Sequence, residues 1–305
     1  MNALLRRVAW SLAVIAGAAC IAFAIVFLIP ADPARTLAGP KADPETVAAI
    51  RRDLGLDRPL AAQLAAYAGR LVRGDLGRSY LTHRPVVNEV LDRLPATVLL
   101  GSVSLALSLL LGAATAALTA PRKGSKADLA VLGASLVVLS MPVFWLGEIL
   151  LDVFGYRLRI LPLGGYGGLD HLALPALTLA LPGAAFYSRL LHESLADELG
   201  ADYVRTARAK GISGWRLYLR HALPNAAGPL LSVVGLDLAG LLGGVVLTET
   251  VFDWPGIGRL AVEAVFNQDV PMVMATTILG SALVVAASLL VDLVRRWLDP
   301  RLTSL

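Results

Sequence analysis

Charged side chains are scarce in this sequence. Asp, Glu, Lys and Arg together make up 16% of it, against roughly 25% in soluble domains. That deficit excludes an ordinary water-soluble surface. Cysteine is nearly missing too: Cys20 stands alone, which excludes an intrachain disulfide and a cysteine-rich metal centre. The four histidines, His83, His171, His192 and His221, form no His-x-x-x-His pair, so a zinc-protease signature is absent. No Gly-x-Ser-x-Gly elbow occurs. No Gly-Lys dipeptide occurs either, so the chain carries no phosphate-cradling loop. The net charge of +4 comes without any Lys/Arg-rich run interleaved with aromatics, which argues against a nucleic-acid partner. An intramembrane enzyme is left without a catalytic constellation.

What is present is apolar length. Hydrophobic residues make up 56% of the chain, and the mean hydropathy is +0.68. A spanning helix needs about 20 mostly apolar residues. Val8–Ala31 and Leu94–Pro121 contain no charge. A third run is Leu129–Gly147, extending past Glu148 and Asp152. Further runs are Leu172–Ser188, Ala222–Thr248 (interrupted by Asp237) and Val270–Val291. Each is long for a strand, and an unpaired strand cannot cross hydrocarbon, so helix is the expected state. The reading is an all-α polytopic membrane protein with about six transmembrane helices. Gly17-Ala18-Ala19-Cys20 invites a lipoprotein cleavage site, but the apolar run continues past it to Ile29. The same length argues against a cleaved signal peptide, whose apolar core is about 7–15 residues.

Six spans put both termini on one side. That side would hold 14 Lys/Arg: Arg6, Arg7, the Arg122–Lys126 turn, the segment Arg189–Arg220, and the tail with Arg295, Arg296 and Arg301. The opposite side would hold 13, of which ten lie in the long segment between Asp32 and Arg93. Long loops are nearly blind to the positive-inside rule. Both termini are therefore expected to be cytoplasmic. The expected organisation is a first helix in 1–31, an external helical segment in 32–93, a permease-like bundle in 94–294 and a cytoplasmic tail in 295–305. Within the external segment, Pro44–Ile50 and Leu60–Val72 are expected helices, the latter with Leu60, Leu64, Tyr67 and Leu71 at helical spacing. This segment reads as a small cap over the bundle without a site of its own. No internal repeat is visible, which counts against an inverted-repeat carrier.

The most specific signal lies between the fourth and fifth runs, within 189–224. Asp202 to Gly211 reads as a short helix with a stop. Ala207 and Ala209 are small, Lys210 suits a helix C-terminus, and Gly211 suits the left-handed residue that ends a helix. A second short helix follows, and Leu223-Pro224 marks entry to the next span. An ordinary connecting loop is the alternative. The string resembles the coupling loop of ABC-importer permeases. Arg205-Thr206-Ala207 stands at its Glu-Ala-Ala triplet, Gly211 at its glycine and His221-Ala222-Leu223-Pro224 at its end. Arg and Thr in place of Glu and Ala are the form usual in the peptide/nickel branch. Five further strings resemble that branch in order: Asp53–Leu60, Gly74–Ser79, Met141–Leu146, Glu249–Arg259, and Asp269-Val270-Pro271 with Asp299-Pro300-Arg301. Ala31-Asp32-Pro33 departs from the family's Gly-Asp-Pro.

This resemblance implies a type I ABC importer permease fold in the bacterial inner membrane. It implies pairing with a second homologous permease as a heterodimer, two cytoplasmic ATPase subunits, an external substrate-binding protein and surrounding lipid. ATP and Mg would bind the ATPases, and no cofactor or metal would bind this chain. Tyr203, Thr206, Ala207 and Lys210 are expected on one docking stripe, with Arg205 and Arg208 paired to acidic ATPase groups. Ala209, Gly211, Leu223 and Pro224 complete the coupling set. Glu249, Phe252, Trp254, Pro255 and Gly256 form a candidate outer gate or binding-protein contact; interfacial anchoring of the aromatics is the alternative. Charges within spans default to functional hypotheses. Asp237, Glu148 and Asp152 would line a path for a cationic substrate, or else serve as an interhelical hydrogen bond and solvated interface acids. Small peptides are the expected substrate. Nickel or a metal chelate is the alternative within the same class, and an ATP-independent carrier or channel is the alternative outside it.

Overall fold

The computed structural model describes residues 3–28, 32–39 and 41–298. They are helical almost throughout, with no strand among them. In chain order the helices are α1 (Ala3–Leu28), α2 (Pro33–Ala38), α3 (Pro44–Asp53), α4 (Leu60–Val72), α5 (Val86–Thr119), α6 (Lys126–Ser140), α7 (Val143–Leu150), α8 (Leu169–Gly200), α9 (Asp202–Ala209), α10 (Gly214–Leu217), α11 (Leu223–Val251), α12 (Ile257–Phe266) and α13 (Val270–Leu298). Wider π turns extend α7 through Leu151–Arg157 and α10 through Tyr218–Ala222. Two compact units emerge. One gathers Met1–Thr97 with Pro255–Val285, the other Val98–Trp254 with Ala286–Leu305.

Among the described residues, α5 with its one-turn extension to Arg122, α8, and Val270–Leu289 of α13 are each long and apolar enough to cross a bilayer. Hydroxyls in α5 are satisfied within the helix: Ser104 donates to the Leu100 carbonyl at 2.6 Å and Thr115 to that of Leu111 at 2.7 Å. That is what lets Ser and Thr sit in an apolar span.

The third apolar run does not make one straight helix. α6 and the Val143–Arg157 stretch meet at an angle of 107°. Pro142 has no N–H, and its ring drives the preceding residue out of the helical region; Met141 is extended, with φ −83° and ψ 133°. The expected continuous span from Leu129 past Gly147 is thus two arms. The start of α6 is set by Ser125, whose hydroxyl accepts from the Asp128 amide at 3.2 Å, while the Asp128 carboxylate accepts from the Gly124 amide at 2.8 Å.

In the first unit, Val86 and Val90 of α5 pack with Ile257, Leu260 and Ala264 of α12 and with Met272 and Ala275 of α13. A second cluster joins Ala22 and Phe23 of α1, Tyr67 of α4 and Met274. Asp269 organises the start of α13. Its carboxylate, 4% exposed, accepts from the Ser79 hydroxyl, from the Tyr80 amide at 3.1 Å and from the Met272 amide at 3.4 Å. The Asp269-Val270-Pro271 string is therefore a helix cap that also holds the loop before α5.

In the second unit α8 is central, packing on α11, α6 and α7. Its crossing with α5 is made by glycines. A Cβ on Gly112 would lie 3.0 Å from Tyr187 Cβ, 3.1 Å from the Ala184 oxygen and 3.2 Å from the Ser188 nitrogen. Beside it, Ser108 donates to the Ala180 carbonyl at 3.2 Å. Small residues that admit backbone-to-backbone approach are the usual means of packing helices in lipid. Across α6 and α8, His192 Nε2 lies 3.0 Å from Asp128 Oδ1 without the geometry of a hydrogen bond.

Candidate functional site

The segment from Asp202 to Pro224 lies wholly within the second unit. α8 ends at Gly200, and Ala201 at φ −68° and ψ 151° turns the chain into α9. Val204 and Ala207, three residues apart and so on one face, pack on Leu217 with Leu199 and Ile212 around them. This apolar contact seats α9 on the end of α8 and on α10. Gly211, at φ +82°, reverses the chain after α9, where a Cβ would cost roughly 1–2 kcal/mol.

Tyr203 makes the second fastening. Its hydroxyl donates to the Glu198 carboxylate at the end of α8 and accepts from Asn225 Nδ2 at 3.1 Å. Asn225 also donates to the His221 carbonyl at 3.1 Å. Partial burial, then the Glu198 carboxylate, push the Tyr203 phenol above its usual range, so it stays a donor. Asn225 and Glu198 were not singled out by sequence, because nothing in spacing marks a contact that spans 22 residues.

The outward face of α9 is cationic. Arg205 and Arg208 are exposed, as are Thr206, Ala209, Lys210 and Gly211. Arg205 lies 3.4 Å from Asp202, an ion pair in water and of little energetic weight. The Thr206 hydroxyl donates back to the Asp202 carbonyl at 2.9 Å. Ala207 does not belong to this face: at 7% exposure it is part of the core, because burying the Val204–Ala207 pair turns it inward. Tyr203 is half on the face, its hydroxyl bent back to α8 and α11. Leu223 packs beneath the segment against the α5–α8–α11 core, and Pro224 is exposed at the first turn of α11.

The structure describes the side chains of two of the three candidate path acids. Glu148 is exposed on α7. Asp152 falls in the π turn and is ion-paired to Arg157 at 2.7 Å, so its charge is already balanced. Asp237 belongs to α11, and its side chain lies outside the described residues.

Phe252 and Trp254 are 1% exposed, so these aromatics are core residues of their unit and do not form an open contact surface. The Phe252 carbonyl accepts from the Gly165 amide at 2.9 Å, and Tyr166 meets Trp254 edge-on at 4.9 Å between ring centres. A Cβ on Gly164 would lie 2.7 Å from the Phe252 oxygen. Close backbone approach thus requires a glycine at this point of the turn before α8. Glu249 is fully buried in the last turns of α11. In the other unit, Gly256 is buried before α12, next to half-buried Pro255, and the Ile257 amide donates to Thr97 at 2.8 Å.

A helical chain with spans apolar enough to cross a bilayer and a short, separately fastened helix between α8 and α11 has the build of a polytopic membrane protein. Comparison with known proteins makes the class specific. Residues 108–304 match the family described as binding-protein-dependent transport system inner membrane component, and residues 1–101 match the N-terminal region of such membrane components. The chain belongs to this family. It is a permease subunit of an ABC importer in the inner membrane, works with ATPase and substrate-binding partners, and has no ATPase of its own. It is 41% identical to a probable peptide ABC transporter permease protein of Sinorhizobium fredii, over 98% of each chain. It is 40% identical to a probable D,D-dipeptide transport system permease protein of Escherichia coli, over 98% of this chain and 97% of that one. A glutathione transport system permease protein of Salmonella choleraesuis is 36% identical over 98% of each. A crystal structure of an amino acid ABC transporter with histidines matches with a TM-score of 0.50 at 16% identity, over 69% of this chain and 94% of that one, which supports the fold.

Proposed function

We propose that this subunit forms half of a translocation path for small peptides and receives the ATPase stroke through the outward face of α9. The observation carrying the peptide reading is full-length similarity to permeases named for peptides, dipeptides and glutathione. The coupling reading is supported by α9 itself: a cationic exposed face, fastened from behind by the Val204–Ala207–Leu217 core and the Tyr203 hydroxyl. In this reading Arg205, Thr206, Arg208, Ala209 and Lys210 meet the ATPase. Gly211 sets the turn, Tyr203 and Ala207 position the helix, and Leu223 and Pro224 pass its displacement to α11.

The working assembly is a heterodimer with a second permease, two cytoplasmic ATPases that hold ATP and Mg, and an external binding protein. Six crossings, formed by α1, α5, the bent α6–α7 pair, α8, α11 and α13, put both termini in the cytoplasm and residues 32–93 outside. ATP binding draws the two α9 helices together because it favours one of two bundle states through differential contacts. Expressing the chain with its genomic neighbours, tagging it alone and comparing wild type with Gly211→Asp tests this. A second permease and ATPases should co-purify, the ATPases should be lost in the variant, and cells should take up labelled dialanine. Purification alone with nucleotide-independent uptake would sink the coupling reading, and nickel uptake without dialanine uptake would replace the peptide reading.

A further inference from the structure

Three of the strings singled out in the sequence, Asp53–Leu60, Gly74–Ser79 and Asp269-Val270-Pro271, come together in the first unit. Two cavities lie among them, of about 340 and 670 Å³. Small-ligand sites have volumes of roughly 300–1,000 Å³. Asp53, Leu54, Arg70, Tyr80 and Pro271 line both cavities, so the two adjoin.

Part of this cluster is structural. The Asp269 carboxylate is occupied by the Ser79 hydroxyl and by the Tyr80 and Met272 amides. The Asp75 carboxylate accepts from the Gly77 amide at 2.8 Å. Asp53, Arg70 and the Tyr80 hydroxyl have no such duty. Asp53 and Arg70 bring opposite charges to the same space, yet neither has an ion-pair partner among the described residues. A gap therefore separates them. Arg70 Nη1 lies 3.9 Å from where a Cβ on Gly77 would be, and Gly77 takes φ +87°, so the guanidinium lies over the loop that carries Tyr80. Burial pushes the Tyr80 phenol up to about 12, and the nearby Arg70 charge opposes this only in part. The hydroxyl thus stays a donor at neutral pH. Arg52 and Arg58 add positive charge at the smaller cavity.

A guanidinium and a neutral hydroxyl donor suit a carboxylate. The Asp53 carboxylate across the gap suits an ammonium. A simple anion would satisfy one side only, and the arginines repel a bare metal ion. A ligand carrying both charges a few ångströms apart satisfies the two sides together. We infer that these cavities take a free small peptide, its carboxylate on Arg70 and the Tyr80 hydroxyl and its ammonium on Asp53. The choice of a peptide over another zwitterion rests on the peptide reading of this subunit; the arrangement of charge does not. The segment expected to be a cap without a site thereby gains a place for substrate.

Equilibrium dialysis of labelled dialanine tests this, with the assembled importer purified without binding protein or nucleotide. Wild type should bind dialanine saturably at millimolar concentration. Arg70→Gln and Asp53→Asn should each weaken binding about tenfold, and Tyr80→Phe severalfold. Altering the ligand asks the same question without touching the fold. N-acetyl-dialanine should bind wild type about tenfold more weakly than dialanine does, and Asp53→Asn should add little to that loss. Dialanine amide should behave likewise with Arg70→Gln. Additive losses in either pairing, or binding unchanged by the substitutions, overturn the inference. No saturable binding to importer from cells that take up dialanine overturns it and leaves the peptide reading standing. Cells that take up nickel and no dialanine sink the peptide reading, and the dialysis then decides the site alone. Substitutions that weaken capture of the binding protein and spare dialanine binding overturn the inference and assign the cavities to that protein's surface.

Discussion

Replacing Tyr203 by Phe removes one hydroxyl and keeps the ring. In the intact protein that hydroxyl donates to the Glu198 carboxylate and accepts from Asn225 Nδ2 at 3.1 Å. A hydrogen bond to a charged group contributes about 1.5–3 kcal/mol, and a neutral one about 0.5–1.5. Tyr203 is 39% exposed, so the lower ends apply, giving about 2 kcal/mol in all. Asn225 keeps its bond to the His221 carbonyl, and the Val204–Ala207–Leu217 contact is untouched. The loss should therefore fall on the fastening of α9 and leave the unit folded. An opening equilibrium shifted by 2 kcal/mol is about 30-fold. Hydrogen exchange of the amides in 202–211, measured in the assembled importer without nucleotide, should accelerate by about that factor. Amides in the middle of α8 should not change. Asn225→Ala should give a smaller effect, and the double variant should fall short of the sum because both act on one hydroxyl. Unchanged exchange in Tyr203→Phe, or strict additivity with Asn225→Ala, would refute the fastening.

Two further outcomes follow from geometry elsewhere. Gly112→Ala should destabilise by about 1–3 kcal/mol, and Gly112→Val by more, because two of the three contacts at 3.0–3.2 Å are to α8 backbone atoms that cannot swing away; thermal inactivation of the purified importer reads this, and an unshifted midpoint in Gly112→Val would contradict the crossing. Burial pushes the phenols of Tyr67 and Tyr80 up to about 12, against an ordinary 10. Raised values mean that the neutral phenol is favoured in the folded state, so their stabilisation is complete below pH 10 and is lost as pH rises toward 12. Phenolate absorbance at 295 nm should lag until that range, and Tyr67→Phe with Tyr80→Phe should remove the share of the lag that these two phenols contribute.

Helix existence was readable from hydropathy because bilayer helices announce themselves by length. α4 begins and ends where its apolar spacing does, at Leu60 and Val72. α8 runs on from the apolar limit at Ser188 to Gly200, since hydropathy follows the solvent and helical geometry does not stop at the membrane surface. Direction was the harder quantity. Met141-Pro142 stood in plain sight, yet counting apolar residues measures how much chain can be buried and says nothing about its course. On α9, spacing gave the stripe but not which stripe goes in. Ala207 is small enough to sit on either face, and Val204 decided the matter. Phe252 and Trp254 read as a candidate outer gate or interfacial aromatics, whereas Asp253 between them takes a left-handed conformation, with φ +54°, and both rings are buried. Tyr203's contacts with Glu198 and Asn225 bring together three helices and leave no local trace.

The break between α6 and α7 also says something about where water goes. Helix α7 has no side-chain cap, and the first of its amides with a backbone partner is that of Leu146, bonded to the Pro142 carbonyl at 3.0 Å. The amides of Val143, Phe144 and Trp145 are helix-end groups with no partner inside α7, while of the carbonyls that close α6 that of Val138 accepts from the Met141 amide at 3.2 Å. Hydrocarbon offers nothing to such groups, and each would cost several kcal/mol there. A helix interrupted in the middle of an apolar run is tolerated only beside polar protein or a wetted cavity. Met141 and Pro142 thus mark a point at which the most apolar part of the sequence needs polar partners from outside its own helices, in neighbouring protein or in water.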